Sequence, residues 1–404
     1  MDMKKITFLG DIMIEPPVLK AAKRKGGKYD FTDVFKYVKP IFDKSDYVIG
    51  NLETPLAGPE VKYTETHLRF NAPDEYADAV KEAGIKMVAT SNNHTFDRGY
   101  EGAIRTIKVL EEKGIGYHGT SLPGTERPEA FYFDLDGTKI AVVAYTYGTN
   151  YKGSGGTCLA EGEWEGHVNL LRHQSHGTYL PGVFHGKDWI DKTFKKWQPN
   201  TKGKLKILLG MEATYPRADD LVEIEAVEPY MQQMIADLKK AREKADIVLF
   251  YPHMGGQFNL KPGYFSRYVI KRAKEACPDA IIASHSHCPQ LAHFEDGIPV
   301  VNSLGNFNMS PRSYLAIHES LTEYGMLLHL YIDDKKIQKV TWTPILNYEK
   351  RGTQVSGYPV HEYYKTLKSE KTKKALEDDM KKLYGIVTGT KLTGEIFREE
   401  YDLA

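Results

Sequence analysis

The chain has 404 residues, of which 41% are apolar and 27% charged, and its 54 basic side chains cancel its 54 acidic ones. That length accommodates one large domain with insertions, or two ordinary domains, around a sizeable core. Balanced charge gives no support for nucleic-acid binding or for adhesion to an anionic membrane surface. The opening MDMKKITFLGDIM breaks its apolar run at Gly10 and Asp11, and no window reaches the ~18 apolar residues of a spanning helix, so no membrane anchor is expected. Cys158, Cys277 and Cys288 are few and widely spaced, which fits reduced thiols and a cytoplasmic location. Cys288, although beside His287, reads as a buried thiol.

In chain order, 5–9 reads as a strand, 31–42 as a helix and 47–51 as a strand. Asn71-Ala72-Pro73-Asp74 opens a helix, 86–90 forms a strand, and 102–112 forms a helix that stops at Gly114. Strands alternating with helices predict an α/β layered architecture. Asp136-Gly137 between two apolar runs predicts a two-residue hairpin. From 148 to 204 neither period 2 nor period 3.6 persists, as expected of an insertion or lid. Its His167, His173, His176 and His185 are spaced too irregularly for a third metal site and read as incidental; Arg172 or Lys187 could pair with a substrate anion. Regularity returns with KILLG at 206–210, a helix over 231–244, a strand over 246–253, a helix over 264–276 and a strand over 280–287. Hairpins follow around Asp296-Gly297 and Asp333-Asp334, and a Lys/Glu-rich helix over 363–382 reads as a solvated face.

Five polar clusters fall at the carboxyl ends of strands: Asp11, then Asn51 with Glu53, then Asn92 to Asp97, then His253, then His285 with His287. Ligand crevices of α/β sheets form at that edge. Each piece alone is weak: a lone His253 is more often structural, and Asp11 could simply close a turn. His285 and His287 are expected to reach one site where the strand has given way to a loop. Together, carboxylate, amide oxygen and imidazole are the donor set for two divalent ions such as Mn, Fe or Zn, able to activate a water and clamp a phosphoryl group.

In order, GDIM, NLETP, SNNHTFDRG, the His-Gly-Thr after GIGY, HMGGQF, SHSHCPQ and NSLGNF resemble the landmarks of the bacterial capsule-synthesis CapA family, poly-γ-glutamate synthesis proteins with a metallophosphoesterase-like fold. The likeness covers roughly residues 4–310. It implies a four-layered α/β/β/α sandwich over 1–350, with 148–204 as the lid and 351–404 as a helical extension. By the same resemblance, Asp11 and His287 would hold one metal ion, Asn93, His253 and His285 the other, and Glu53 would bridge. His94 would be a proton donor to the leaving oxygen, oriented by Asp97, while Asn92 ties down the loop backbone. Asn51, His118 and Arg172 are expected to bind substrate.

Departures from the family pattern matter too. Met13 stands where the superfamily has a His, which implies a weaker hold on one ion, and Glu53 lengthens the usual bridging Asp by a methylene. His253-Met254-Gly255-Gly256-Gln257 replaces a HWGxE segment, which shifts the expected substrate, and a start directly at the first strand argues against a role inside a membrane-bound synthase. The expectation is a metal-dependent hydrolase acting on a small or oligomeric anionic phosphoester. The alternatives are γ-glutamyl amide hydrolysis or transfer, and a non-catalytic role in capsule polymer synthesis; homo-oligomerisation stays open.

Overall fold

The computed structural model describes residues 3–150, 162–172, 188–213, 219, 223–350 and 353–403. The expectations for Cys158, His173, His176, His185 and Lys187 lie outside the described residues. Within them the strands are, in chain order, β1 (Lys4–Ile12), β2 (Tyr47–Leu52), β3 (Met87–Ala89), β4 (Gly116–His118), β5 (Phe131–Leu135), β6 (Thr138–Thr146), β7 (Ile247–Met254) and β8 (Ala280–Ile282). They continue with β9 (Ser284–His285), β10 (Ala292–Glu295), β11 (Ile298–Val301), β12 (Tyr324–Asp333), β13 (Lys336–Tyr348), β14 (Ser356–Pro359) and β15 (Tyr401–Asp402). One sheet runs β14-β13-β12-β1-β2-β3-β4 with β15 on β13; the other runs β10-β11-β8-β7-β6-β5 with β9 on β7. The neighbours from β1 to β4 are parallel, as are β6, β7, β8 and β11, so their carboxyl ends gather on one edge of each sheet.

Side-chain alternation then builds four layers. Ile6, Phe8, Ile49 and Met87 of the first sheet meet Val142, Ala144, Leu249 and Ile282 of the second in one buried cluster. Leu9, Val48 and Val88 face the other way, against helical Val18, Phe35, Tyr76 and Leu110. On the far side of the second sheet, Val143, Val248, Phe250 and Ile281 pack on Met231 and Leu238 of helix Ile224–Lys244 and on Phe265 and Val269 of helix Tyr264–Ala273. Each such side chain contributes roughly 1.5–3 kcal/mol on burial. The order is α/β/β/α, as the resemblance implied. Near the functional edge, the Phe8 and Tyr251 rings meet edge to face at 5.3 Å, and the Tyr251 hydroxyl donates to the Leu9 carbonyl at 3.0 Å, tying the two sheets together.

The hairpins form where expected, with Asp136 and Gly137 at φ 50° and 84° and Asp296 and Gly297 at 53° and 79°. Both central residues at positive φ is the geometry that matches strand twist. Three local expectations are corrected. The 31–42 helix is two short ones, Thr32–Phe35 and Lys39–Phe42, because Pro40 cannot continue a helix and instead begins the second. KILLG, where regularity was expected to return, opens no new element; its first residues end helix Pro199–Leu208, leaving Leu208 and Leu209 exposed. Within 148–204 there is regular structure, a 3-10 turn at Gly162–His167 and helices from Asp188 and Pro199.

The C-terminal extension is sewn onto the first sheet. Helix Glu370–Thr388 is not a solvated rod, since Leu376, Met380, Leu383 and Val387 enter the inter-sheet core with Trp342. Glu400 accepts hydrogen bonds from Lys5, Tyr331 and Thr341. Burial would raise its carboxyl, but neighbouring His329 and those donors outweigh it and hold it at about 2. Buried His329 is itself pushed down to about 3 and so is neutral at pH 7, which leaves the three donors to do the holding. A depressed carboxylate stabilises the fold above its unfolded pKa and loses that contribution as pH falls toward the folded value. Glu400→Gln is therefore expected to be less stable than the parent by about 2–3 kcal/mol at pH 7, the gap closing between pH ~4.5 and ~2. Thermal melts of both proteins across that range check it; parallel curves would show that Glu400 is not the anchor.

Candidate functional site

The site begins with an interruption in β1. Its pairing with β2 shifts register between Phe8 and Asp11, and this irregularity re-aims Asp11, which strict alternation would send to the helix side with Leu9. A Cβ on Gly10 would sit 2.0 Å from the Gly305 carbonyl oxygen, so only glycine allows the β1 terminus to approach the NSLGNF loop this closely. The Asp11 carboxylate then points across to the second sheet, where it accepts the His285 backbone N–H at 3.1 Å and lies 3.5 Å from His287 Nδ1. Asn51 Nδ2 also donates to it, at 2.8 Å.

Glu53 follows directly on β2 and is the centre of the cluster. Its Oε1 lies 3.6 Å from His253 Nε2 and 3.8 Å from the Nε2 atoms of both His94 and His287. The side chain is fully buried, and neither oxygen has a hydrogen-bond partner among the described residues. Burial, with the Asp11 and Asp97 carboxylates adding repulsion, pushes its carboxyl well above the usual range. Burial also holds His253 down at about 3 and His285 well below its ordinary value, so both rings are neutral, the state in which imidazole ligates a metal. For Asp11, burial pulls upward, but the contacts with His287, His253 and Asn51 win and keep it ionised. Because His253 is neutral at pH 7, the direct N–H donors rather than its charge carry that effect.

Two donor sets share Glu53: Glu53 with His253 and His285, and Glu53 with Asp11 and His287. In each, the candidate ligand atoms lie within 4.8 Å of one another. Asn93 Oδ1 joins the first set, 2.8 Å from His253 Nε2. Fully buried oxygens without donors and a buried His285 Nδ1 without a partner, among the described residues, fit a cation site. The grouping matches the one expected from sequence. Met13, outside both sets, turns into the helix-side core, its backbone clamped by Asn308 and Tyr76.

The histidine loop carries strain. His285 is at φ 104° and His287 at 55°, with Phe258 beside them at 63°. Such conformations cost on the order of 1–3 kcal/mol each and persist where a site requires them. Here they bring both histidines inward, since β8 ends at Ile282 and β9 spans only Ser284–His285.

His94 Nδ1 sits 2.6 Å from Asp97 Oδ2, which also accepts the Phe70 N–H at 2.6 Å, and the Phe70 ring stacks on the imidazole with centroids 4.3 Å apart. This leaves Nε2 facing Glu53. Asn92 does tie the loop, donating to the Leu52 carbonyl and accepting from the His94 N–H.

Among the residues expected to bind substrate, Asn51 is a buried hub linking Asp11, His253 and Asn92. His118 is misplaced for that role: Nδ1 accepts the Ala144 N–H and Nε2 faces the Pro128 carbonyl, so the ring ties β4 to the second sheet. Burial lowers it to about 4, keeping Nδ1 an acceptor. Arg172 is buried, donates from Nε to the Tyr147 carbonyl and lies over the Tyr147 ring, which itself packs 4.5 Å from the His285 ring. Residue-by-residue reasoning missed Asn306, whose Oδ1 is 2.9 Å from His287 Nδ1 while its Nδ2 donates to the His287 carbonyl. The signal was present in NSLGNF.

Among the described residues, no helix is long and apolar enough to cross a membrane. The capsule biosynthesis protein CapA of Bacillus anthracis is 32% identical over 144 residues, 35% of this chain and 34% of that protein. The PGA biosynthesis protein CapA of Bacillus subtilis (strain 168) is 24% identical over 308 residues, 76% of this chain and 63% of that protein. The chain thus spans between about a third and just under two-thirds of these curated relatives. A solved structure of a hypothetical protein from Thermus thermophilus is 12% identical with a TM-score of 0.41, over 84% of this chain and 98% of that one. Residues 5–310, which carry the whole cluster from Asp11 to Asn306, match the family described as bacterial capsule synthesis protein PGA_cap, and the chain belongs to that family.

Proposed function

We propose that this chain is a metal-dependent hydrolase of an anionic phosphoester, with Asp11, Glu53 and His287 holding one divalent ion and Glu53, Asn93, His253 and His285 a second. The observation that carries the reading is Glu53, a buried carboxylate with no hydrogen-bond donor among the described residues and three imidazole nitrogens within 3.8 Å. When bound, the ions supply Lewis-acid activation of a water and offset charge on the phosphoryl group. Asp97 accepts the Nδ1 proton of His94 and fixes the ring so that its Nε2 faces the site, from which it delivers a proton to the leaving oxygen. Arg172, beside Tyr147 and His285, adds positive charge for the substrate anion. The free thiols of Cys277 and Cys288 suit action in the cytoplasm.

Metal analysis of purified protein, followed by Mn²⁺-dependent turnover of aryl phosphate mono- and diesters, tests the proposal. Two ions and turnover support it; one tightly held ion with neither ester hydrolysed would sink it in favour of a non-catalytic role in capsule polymer synthesis. The relatives' connection to capsule and PGA biosynthesis favours a second reading, attack on a γ-glutamyl amide, which glutamate release from γ-glutamyl peptides would select.

Asn306→Ala frees His287 to rotate. It is expected to weaken metal binding about 10- to 100-fold, the usual effect of removing a group that orients a ligand. Equilibrium Mn²⁺ titration measures this, and an unchanged affinity would show that the ring is oriented by other contacts.

A further inference from the structure

Beside His94, Arg69 from the connection between β2 and β3 meets Arg98, which ends the loop after β3. Arg69 donates from Nε to the Asp97 carbonyl at 2.9 Å, and Arg98 donates from Nη2 toward the carbonyls of Arg69 and Tyr63, each at 3.4 Å. Among the described residues, no carboxylate lies within ion-pairing distance of either guanidinium, and the buried Nε of Arg98 has no partner. Most other arginines in the described fold are paired, as Arg105 is with Asp74, Arg127 with Asp237 and Arg272 with Glu228. Arg98 also stands at the amino terminus of helix Gly99–Lys113, whose free N–H groups add positive potential. Gly102 is needed for this arrangement, because a Cβ there would come within 2.7 Å of the Arg98 Cβ.

Two like charges held side by side by backbone carbonyls repel unless an anion joins them. Burial and the Arg69 charge both disfavour the Arg98 cation as the pair stands. We propose that Arg69 and Arg98 form an oxyanion subsite for a second phosphate or carboxylate of the substrate, remote from the bond that is cleaved. Its position follows from Asp97, which anchors Arg69 through its carbonyl and His94 through its carboxylate, and from Phe70, which follows Arg69 and stacks on the His94 ring. The substrate class is then a molecule with at least two anionic groups, which rests on the hydrolase reading above for what happens at the other end.

Calorimetric titration of the full-length purified chain with tripolyphosphate reads the subsite without turnover. Arg69→Gln and Arg98→Gln are each expected to weaken binding about tenfold, the scale of a charge-assisted pair. Lys62→Gln, which removes a nearby exposed charge, is expected to change affinity less than twofold. Arg69 is exposed and its variant is expected to fold, which guards against a collapse caused at Arg98. In turnover, an aryl phosphate bearing a second carboxylate should show a raised KM in both variants, whereas the plain monoester should not. Equal affinities in wild type and Arg69→Gln would overturn the subsite. Tripolyphosphate binding that is lost in the variants, with no ester turnover by wild type, would keep the subsite and reject the hydrolase.

Discussion

Glu53→Gln is expected to abolish stabilisation by divalent metal and, in chelator, to be more stable than the parent. In the metal-free chain the Glu53 carboxylate is buried beside Asp11, Asp97 and the neutral ring of His253, and among the described residues nothing donates to it. A buried ionised group without partners costs several kcal/mol, or must take up a proton to avoid that cost. Gln keeps the shape and removes the charge, so a gain of about 1–3 kcal/mol in EDTA is expected. Both donor sets run through the same carboxylate, so the substitution removes a ligand from each. Wild type at an Mn²⁺ concentration of about 100 times its Kd should gain ~2.7 kcal/mol per site, and the variant close to nothing. Thermal melts in EDTA and in Mn²⁺ give both comparisons. If Mn²⁺ raised the two proteins equally, the bridging role would be wrong; if Glu53→Gln melted lower in EDTA, the carboxylate would have partners in solution.

The convergence of the candidate cluster was legible in the sequence because its residues follow a simple rule, a polar donor at the end of each short apolar run. Asp11, Glu53, Asn93, His253, His285 and His287 converge because parallel strands present the same end to the same edge. His118 obeys that rule equally well, at the end of β4, and misleads for a physical reason. Residue type does not reveal that backbone groups of Ala144 and Pro128 already occupy both ring nitrogens. Asn306 and Phe70 work by orienting His287 and His94, and orientation leaves no mark in composition. Errors in the fold have similar causes. KILLG is apolar over too short a run to separate helix from strand, and the charged tail helix hides a buried stripe at 376, 380, 383 and 387, a helical spacing.

The strained histidines connect fold to chemistry. His285 and His287 lie two residues apart and in a regular strand would share one face, but neighbouring His253 and Asp11 occupy different sheets. Positive φ at both positions lets one short segment serve the two donor sets, His285 in one and His287 in the other. Strain held this way is supported by the surrounding contacts, the His285 N–H on Asp11 and the Asn306 clamp around His287.

His94→Ala should leave two ions bound while lowering kcat by about 10²- to 10⁴-fold, the range of a lost proton donor. The separation is possible because Nε2 stands 3.8 Å from Glu53 Oε1 and His94 is in neither donor set. A proton donor matters most when the leaving oxygen is basic, so the loss should be steep for alkyl esters and shallow for esters of acidic phenols. A residue that merely shaped the pocket would lower both alike. Asp97→Asn removes the carboxylate that orients the imidazole through Nδ1, and should reproduce part of the loss with the same leaving-group trend. Groups that act as one unit are not additive, so the double variant should be no slower than His94→Ala alone. Loss of metal together with activity in His94→Ala would make His94 a ligand, and a double variant whose loss equals the product of the two single losses would show that Asp97 acts independently of the histidine.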